Sequence, residues 1–170
     1  MFPSHDPGRR TKYYKKDDPL HRTEYQYCGE MFDYMNIKEG KHWEDRSKGG
    51  LNGAYKRIAK KGYNATIEPH LNAFNGKAKG IETLYPKGCA KSQMLAIRVN
   101  TLLKASFPDR VNRHTKALSP GDDGWANFEA AKKNGIKACV ITEAFFIDNP
   151  YEWIDPAVMA EVFKEAMEIK

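Results

Sequence analysis

The chain has 170 residues, a formal net charge of +6, 41% hydrophobic residues and 29% charged ones. That is chain enough for one domain with a substantial core, and the composition excludes a disordered or fibrous protein. No apolar run approaches the roughly 20 residues that span a bilayer. Met1-Phe2-Pro3-Ser4-His5 carries no charged segment followed by an apolar one, so neither a membrane span nor a secretory leader is expected.

A basic chain is drawn to polyanions: nucleic acid, anionic lipid or bacterial wall polymers. The densest run, Arg9-Arg10-Thr11-Lys12-Tyr13-Tyr14-Lys15-Lys16, mixes basic and aromatic residues as some nucleic-acid-binding segments do. Charge runs are more often solvated loops, and this one is read as a loop. Cys28, Cys89 and Cys139 match neither a zinc ribbon nor a disulfide framework. Cys28 and Cys139 sit in apolar patterns and are expected to be buried. An odd count suits synthesis in a reducing compartment.

In chain order, residues 1–5 read as a very short strand interrupted by Pro3, and residues 6–18 as a loop. A helix then runs to about Met35. Asp18-Pro19 is one candidate start, and Thr23-x-x-Gln26, a capping-box pattern, is the other. Glu24, Cys28, Met31, Phe32 and Met35 share one face of this helix, so a carboxylate opens a buried stripe and needs a partner there. Residues 36–50 are polar and glycine-rich, hence loop. Leu51–Lys61 reads as a helix capped by Gly62. Residues 64–71 read as a strand with Pro69 at its very end, residues 72–80 as a turn or loop, and Ile81–Tyr85 as a short strand.

Ala90–Phe107 reads as a helix with Leu95, Val99 and Leu102 on one face. Residues 108–122 read as loop and Trp125–Lys133 as a helix ended by Asn134-Gly135. Ala138–Phe146 is nearly continuous apolar sequence broken by Thr142 and Glu143, the pattern of a central strand covered on both faces. Asp155-Pro156 opens a last helix with Met159, Val162, Phe163, Ala166 and Ile169 on one side. Strands alternating with helices give an α/β domain with a mostly parallel twisted sheet flanked by helices. Sites in such folds gather at the C-terminal ends of strands, where His5, His70 and Glu143 fall.

Those positions suit a zinc hydrolase. Catalytic zinc commonly takes three protein ligands and keeps a fourth position open, and a carboxylate outside the coordination shell moves the proton. His5, Glu24 and His70 could be ligands and Glu143 the base. On chemistry alone His21, His42 and His114 compete, and His21 with Glu24, three apart on one helix, is the main rival pair.

The motifs resemble those of the zinc-dependent N-acetylmuramoyl-L-alanine amidases of the type-3 class. Ser4-His5-Asp6-Pro7-Gly8 resembles that family's opening Asp-x-Gly-His segment in altered order, and Glu24 sits where the family places its glutamate ligand. Glu68-Pro69-His70-Leu71-Asn72-Ala73 resembles its Ser-Ile-His-Ala-Asn-Ala strand end. Gly80-Ile81-Glu82-Thr83-Leu84-Tyr85 is similar to its Gly-x-Glu-x-x-Tyr stretch, and Glu143-Ala144-Phe145-Phe146-Ile147-Asp148-Asn149 to the segment bearing its catalytic glutamate. The chain departs from the family in its short first strand, in showing no clear second strand within residues 36–50, and in Glu68-Pro69 replacing Ser-Ile.

The resemblance implies a compact, divergent amidase domain over residues 1–170, without a separate wall-binding domain. It implies Zn2+ on His5, Glu24 and His70, Glu143 as the catalytic base, and Asn72 and Glu82 against substrate. The expected partner is peptidoglycan, not nucleic acid or a stable membrane association, and a monomer is expected. A leaderless single domain further suggests a phage endolysin, made in the cytoplasm and acting on the wall after release, or a periplasmic or extracellular enzyme if a leader was removed. The alternatives are another zinc peptidase or carboxypeptidase, and a non-catalytic wall-binding protein of the same fold.

Overall fold

The computed structural model describes residues 23–168 apart from Lys41 and Ser47. The described chain forms helices α1 (Glu24–Tyr34) and α2 (Gly50–Lys60), then strands β1 (Ala65–Asn72) and β2 (Ile81–Pro86). Helix α3 (Ala90–Ser106), strand β3 (Asn112–Leu118), helix α4 (Trp125–Lys133), strand β4 (Ala138–Phe146) and helix α5 (Pro156–Met167) follow. The sheet order is β1-β4-β2-β3. β1 with β4 and β2 with β3 are parallel, whereas β2 and β4 are antiparallel. The sheet is therefore mostly parallel, as expected, but its two halves run in opposite directions. The start of β2 consequently lies beside the end of β4.

Two helical layers cover the sheet. α1, α3 and α5 enclose a core of Met31, Phe32, Ile67, Val99, Val140, Phe145 and Phe163, among others. α2 and α4 enclose a smaller one around Tyr55, Ile58, Leu84, Phe128 and Ile141. Alternation along β1 decides what each side receives. Ile67 and Leu71 enter the larger core, while Glu68 points to the other face, where it meets Tyr55 of α2 and Asn127 of α4.

Helix α1 starts at the capping box: Thr23 Oγ1 accepts from Gln26 N at 3.2 Å, and Gln26 Oε1 accepts from Thr23 N at 2.8 Å. The other candidate start, Asp18-Pro19, lies outside the described residues, as does the short strand expected before it. The expected stripe of Glu24, Cys28, Met31, Phe32 and Met35 is buried. Tyr27 joins it, stacking edge-on against Phe145 and Trp153 with ring centroids 5.3 Å away in each case. Each such pair contributes about 0.5–1.5 kcal/mol, and Tyr27 also donates its hydroxyl to Ile154 O. These contacts fasten the first turns of α1, and hence Glu24, against the strand ends.

Three expectations need correction. Residues 108–122 are not all loop, since β3 occupies Asn112–Leu118. This edge strand is mostly exposed and carries Arg113 and Lys116, so it lacks the alternating apolar signature, and charge on an edge strand blocks unwanted pairing. Pro69 lies inside β1 rather than at its end, at an edge of the sheet formed by the described residues, where proline is tolerated. The buried face of α3 is Ser92, Ala96, Val99, Asn100 and Leu103, with Leu95 and Leu102 packed at its margins. Helices covering a strand pair bury small and polar residues at the closest approach, and the apolar pattern alone displaced the face.

Candidate active site

Strands β1 and β4 pair in parallel so that His70 stands opposite Glu143. The register then slips, with Asn72 opposite Phe146. A bulge of this kind re-aims side chains at a sheet rim. Across the antiparallel boundary Glu82 stands opposite Glu143. Three residues widely separated in sequence thus meet on adjacent strands. His70, Glu82 and Glu143 line a cleft of about 650 Å³ over the α2/α4 face, together with Arg46, Lys116 and Asp122.

Glu24 reaches this group from the start of α1. Its Oε1 accepts from the backbone N–H of Leu71 at 2.6 Å and lies 3.6 Å from His70 Nδ1. Two ligand atoms on one tetrahedral zinc stand roughly 3.3–3.5 Å apart, from the usual metal–ligand distances. This nitrogen and this carboxylate oxygen, at 3.6 Å, stand close to that separation, near neighbouring positions on one zinc ion. Among the described residues no group of three or more His, Cys, Asp or Glu side chains is arranged to hold a metal. His5, the third expected ligand, lies outside the described residues, as does His21. Of the competing histidines, His42 accepts from Lys38 N through Nδ1 within the 38–42 turn. His114 sits on edge strand β3 with its carbonyl bound by Asn100.

The electrostatics separate the roles of the acidic groups. Glu143 is pushed up from 4.5 to about 7, chiefly by burial and further by the charges of Glu82 and Glu24, against the pull of His70 and Arg113. Asn72 donates to Glu143 Oε2 at 2.5 Å, and its own Oδ1 accepts from Ala73 N. Glu82 is held by Arg113, whose Nε lies 3.3 Å from Oε1 and whose guanidinium stacks over the Phe146 ring at 5.2 Å. Burial works against the charged form of His70, but Glu68, Glu24 and Glu143 outweigh it and hold the imidazole above its usual range. A carboxyl group that titrates near neutrality beside a histidine–carboxylate pair is the arrangement of a proton-transfer site.

The Gly80 turn sets the start of β2. At φ +115° it takes a backbone conformation that disfavours side chains, and a Cβ there would lie 2.6 Å from Val111 O. Ile81 N donates to that same carbonyl, and Gly80 N donates to Glu152 Oε2. These bonds fix the turn that leads into β2, and so the position of Glu82, which stands opposite Glu143.

No protein-family model and no curated protein matches the sequence. Solved structures do match. An N-acetylmuramoyl-L-alanine amidase from Clostridium difficile 630 aligns with a TM-score of 0.68 over 98% of this chain and 93% of its own, at 18% identity. The CwlD amidase of Clostridioides difficile, solved in complex with the GerS lipoprotein, aligns at 0.63 over 99% and 98%, also at 18% identity. The catalytic domain of the CD27L endolysin targeting Clostridia difficile aligns at 0.59 over 86% and 83%, at 23% identity. This chain has the fold of the N-acetylmuramoyl-L-alanine amidases.

On this amidase fold, the described members of the expected site come together. His70, Glu82 and Glu143 line the cleft, with Glu24 beside His70 and Asn72 bonded to Glu143. No sequence pattern gives a role to Glu68, Arg46 or Arg113. Glu68 carries a usable signal, since a charged residue two positions before His70 on an alternating strand shares its face. Arg113 carries none, because its exposed edge strand lacks the apolar alternation of a strand.

Proposed function

We propose that this chain is a peptidoglycan amidase that hydrolyses the bond between the lactyl group of N-acetylmuramic acid and L-alanine of the stem peptide. One observation carries the proposal. On an amidase fold, a carboxyl group held near pH 7 stands opposite a histidine that shares a zinc-compatible spacing with Glu24. His5, Glu24 and His70 would hold the metal. Zinc bound there would supply Lewis acidity, acidifying water and polarising a carbonyl.

Glu143 does the proton work. Asn72 fixes its Oε2, and Oε1 takes the proton of the attacking water as its oxygen adds to the lactyl carbonyl carbon. When the C–N bond breaks, the same oxygen returns that proton to the departing L-alanine nitrogen, leaving a lactyl carboxylic acid and a free amine, which then exchange a proton to give carboxylate and ammonium. A group with a pKa near 7 serves both steps. Asn72 and Glu82 flank the reacting amide. The net charge of +6 favours approach to the anionic wall. The likeness to an endolysin catalytic domain supports the further reading that the protein acts in phage-type lysis. On that reading it is a monomer that meets the wall after release from the cytoplasm.

Two substitutions test the division of roles. Glu143→Ala is expected to keep stoichiometric zinc and lose hydrolysis of purified cell walls, and His70→Ala to lose both. An active Glu143→Ala protein removes Glu143 from the mechanism. A His70→Ala protein with full zinc content removes the metal assignment.

A further inference from the structure

Glu68 is fully buried, at 0% exposure, in a strand position the proposed chemistry does not use. A buried carboxylate needs partners, and it has four. Arg46 Nη1 lies 3.1 Å from Oε1, and His70 Nε2 lies 3.4 Å from the same oxygen. Asn127 Nδ2 donates to Oε2 at 2.6 Å, and Tyr55 donates its hydroxyl there at 3.4 Å. These contacts come from the 38–49 loop, β1, α4 and α2, so Glu68 is fixed from every side. Arg46 is itself carried by a braced loop: Arg57 donates to Glu44 Oε2 at 2.5 Å and to Asp45 O at 2.6 Å.

The imidazole of His70 is thus set between two carboxylates on different elements, Nε2 toward Glu68 and Nδ1 toward Glu24. A neutral imidazole has one N–H and one lone pair. A carboxylate has about four acceptor positions, and around the two oxygens of Glu68 stand Arg46, the His70 imidazole and two neutral donors. Glu68 is thereby suited to receive a proton donor and not to bind a metal. Glu24 lies on the opposite side, at the zinc-compatible spacing.

We propose that Glu68 is a positioning residue. It receives the Nε2–H of His70, selects that tautomer, and turns the Nδ1 lone pair toward Glu24 as the metal-binding atom. The inference rests on the reading of His70 and Glu24 as zinc ligands. It also gives a physical role to Glu68, which stands where the family resembled usually has serine. Partners of this kind are worth about 10- to 100-fold in metal affinity.

The test reads metal binding and tautomer, not activity. Zinc affinity is measured by competition with a chromophoric chelator for the wild type, Glu68→Gln and His70→Ala. Long-range 1H–15N spectra of the zinc-loaded wild type identify which ring nitrogen of His70 carries hydrogen. The proposal expects hydrogen on Nε2, with Nδ1 coordinated, and a 10- to 100-fold weaker affinity in Glu68→Gln. Coordination through Nε2 overturns it, as does a Glu68→Gln affinity within twofold of wild type in a protein with an unchanged circular dichroism spectrum. If Glu68→Gln does not fold, the wild-type tautomer still decides the matter. A wild-type affinity in His70→Ala instead overturns the ligand assignment beneath it, which separates the two failures.

Discussion

Replacing Glu143 by Gln should stabilise the metal-free protein, and only at higher pH. The folded chain holds this carboxyl near pH 7 rather than 4.5, first because it is buried and then because Glu82 and Glu24 face it. Between those values the folded state binds more protons at this site than the unfolded chain does. The contribution of this side chain to stability is therefore fully present below pH 4.5 and is lost as pH rises to about 7. At about 1.4 kcal/mol per pH unit of pKa displacement, full ionisation costs at most about 3.5 kcal/mol. Water reaching the side chain through the cleft screens part of this, so about 1–3 kcal/mol is expected. Gln keeps the size of the side chain and still accepts from Asn72, but it never ionises. Thermal unfolding in the presence of a chelator should give matched stabilities at pH 4.5 and a more stable Glu143→Gln at pH 8, by a few degrees in Tm. Added zinc should erase the advantage, since a cation favours the carboxylate. Equal differences at both pH values, or a Gln variant weakened at pH 8, would refute the reasoning.

Asn72→Ala removes the donor that fixes Glu143 Oε2. It should lower kcat about 10-fold at neutral pH and move the acidic limb of the pH–rate profile upward, because a lost donor to a charged group costs about 1.5–3 kcal/mol. Gly80→Ala should destabilise the fold by about 2–4 kcal/mol in urea unfolding, since the Cβ would meet Val111 O in a backbone conformation that side chains avoid. Thr23→Ala should cost about 1 kcal/mol in the same assay by removing one half of the α1 capping box.

Much of the architecture is legible where local chemistry and tertiary packing agree. The Thr23-x-x-Gln26 box and the stripe from Glu24 to Met35 define α1 because the cap and the apolar face coincide. The apolar run at Ala138–Phe146 defines β4 because both of its faces are covered. Edge strand β3 is not legible: solvent on its outer side removes the alternation that would mark it. Nor is the antiparallel join of β2 to β4, since strand direction depends on how the chain crosses the sheet rather than on the residues within a strand. That join carries Glu82 to Glu143, so the motif around Gly80-Ile81-Glu82 suggested a role that its own spacing could not locate. Glu68 was visible as a departure from a family pattern, but its meaning depended on Arg46, Tyr55 and Asn127, drawn from three other segments.

The bond that is cut decides what this protein does. The most direct measurement is mass spectrometry of the products released from a defined muropeptide that carries N-acetylmuramic acid and its stem peptide. Amidase action predicts a muramic acid with a free lactyl carboxylate and a stem peptide with a new L-alanine amino terminus, both absent with Glu143→Ala. Stem peptides shortened within the peptide, with the muramoyl–L-alanine bond intact, would contradict it.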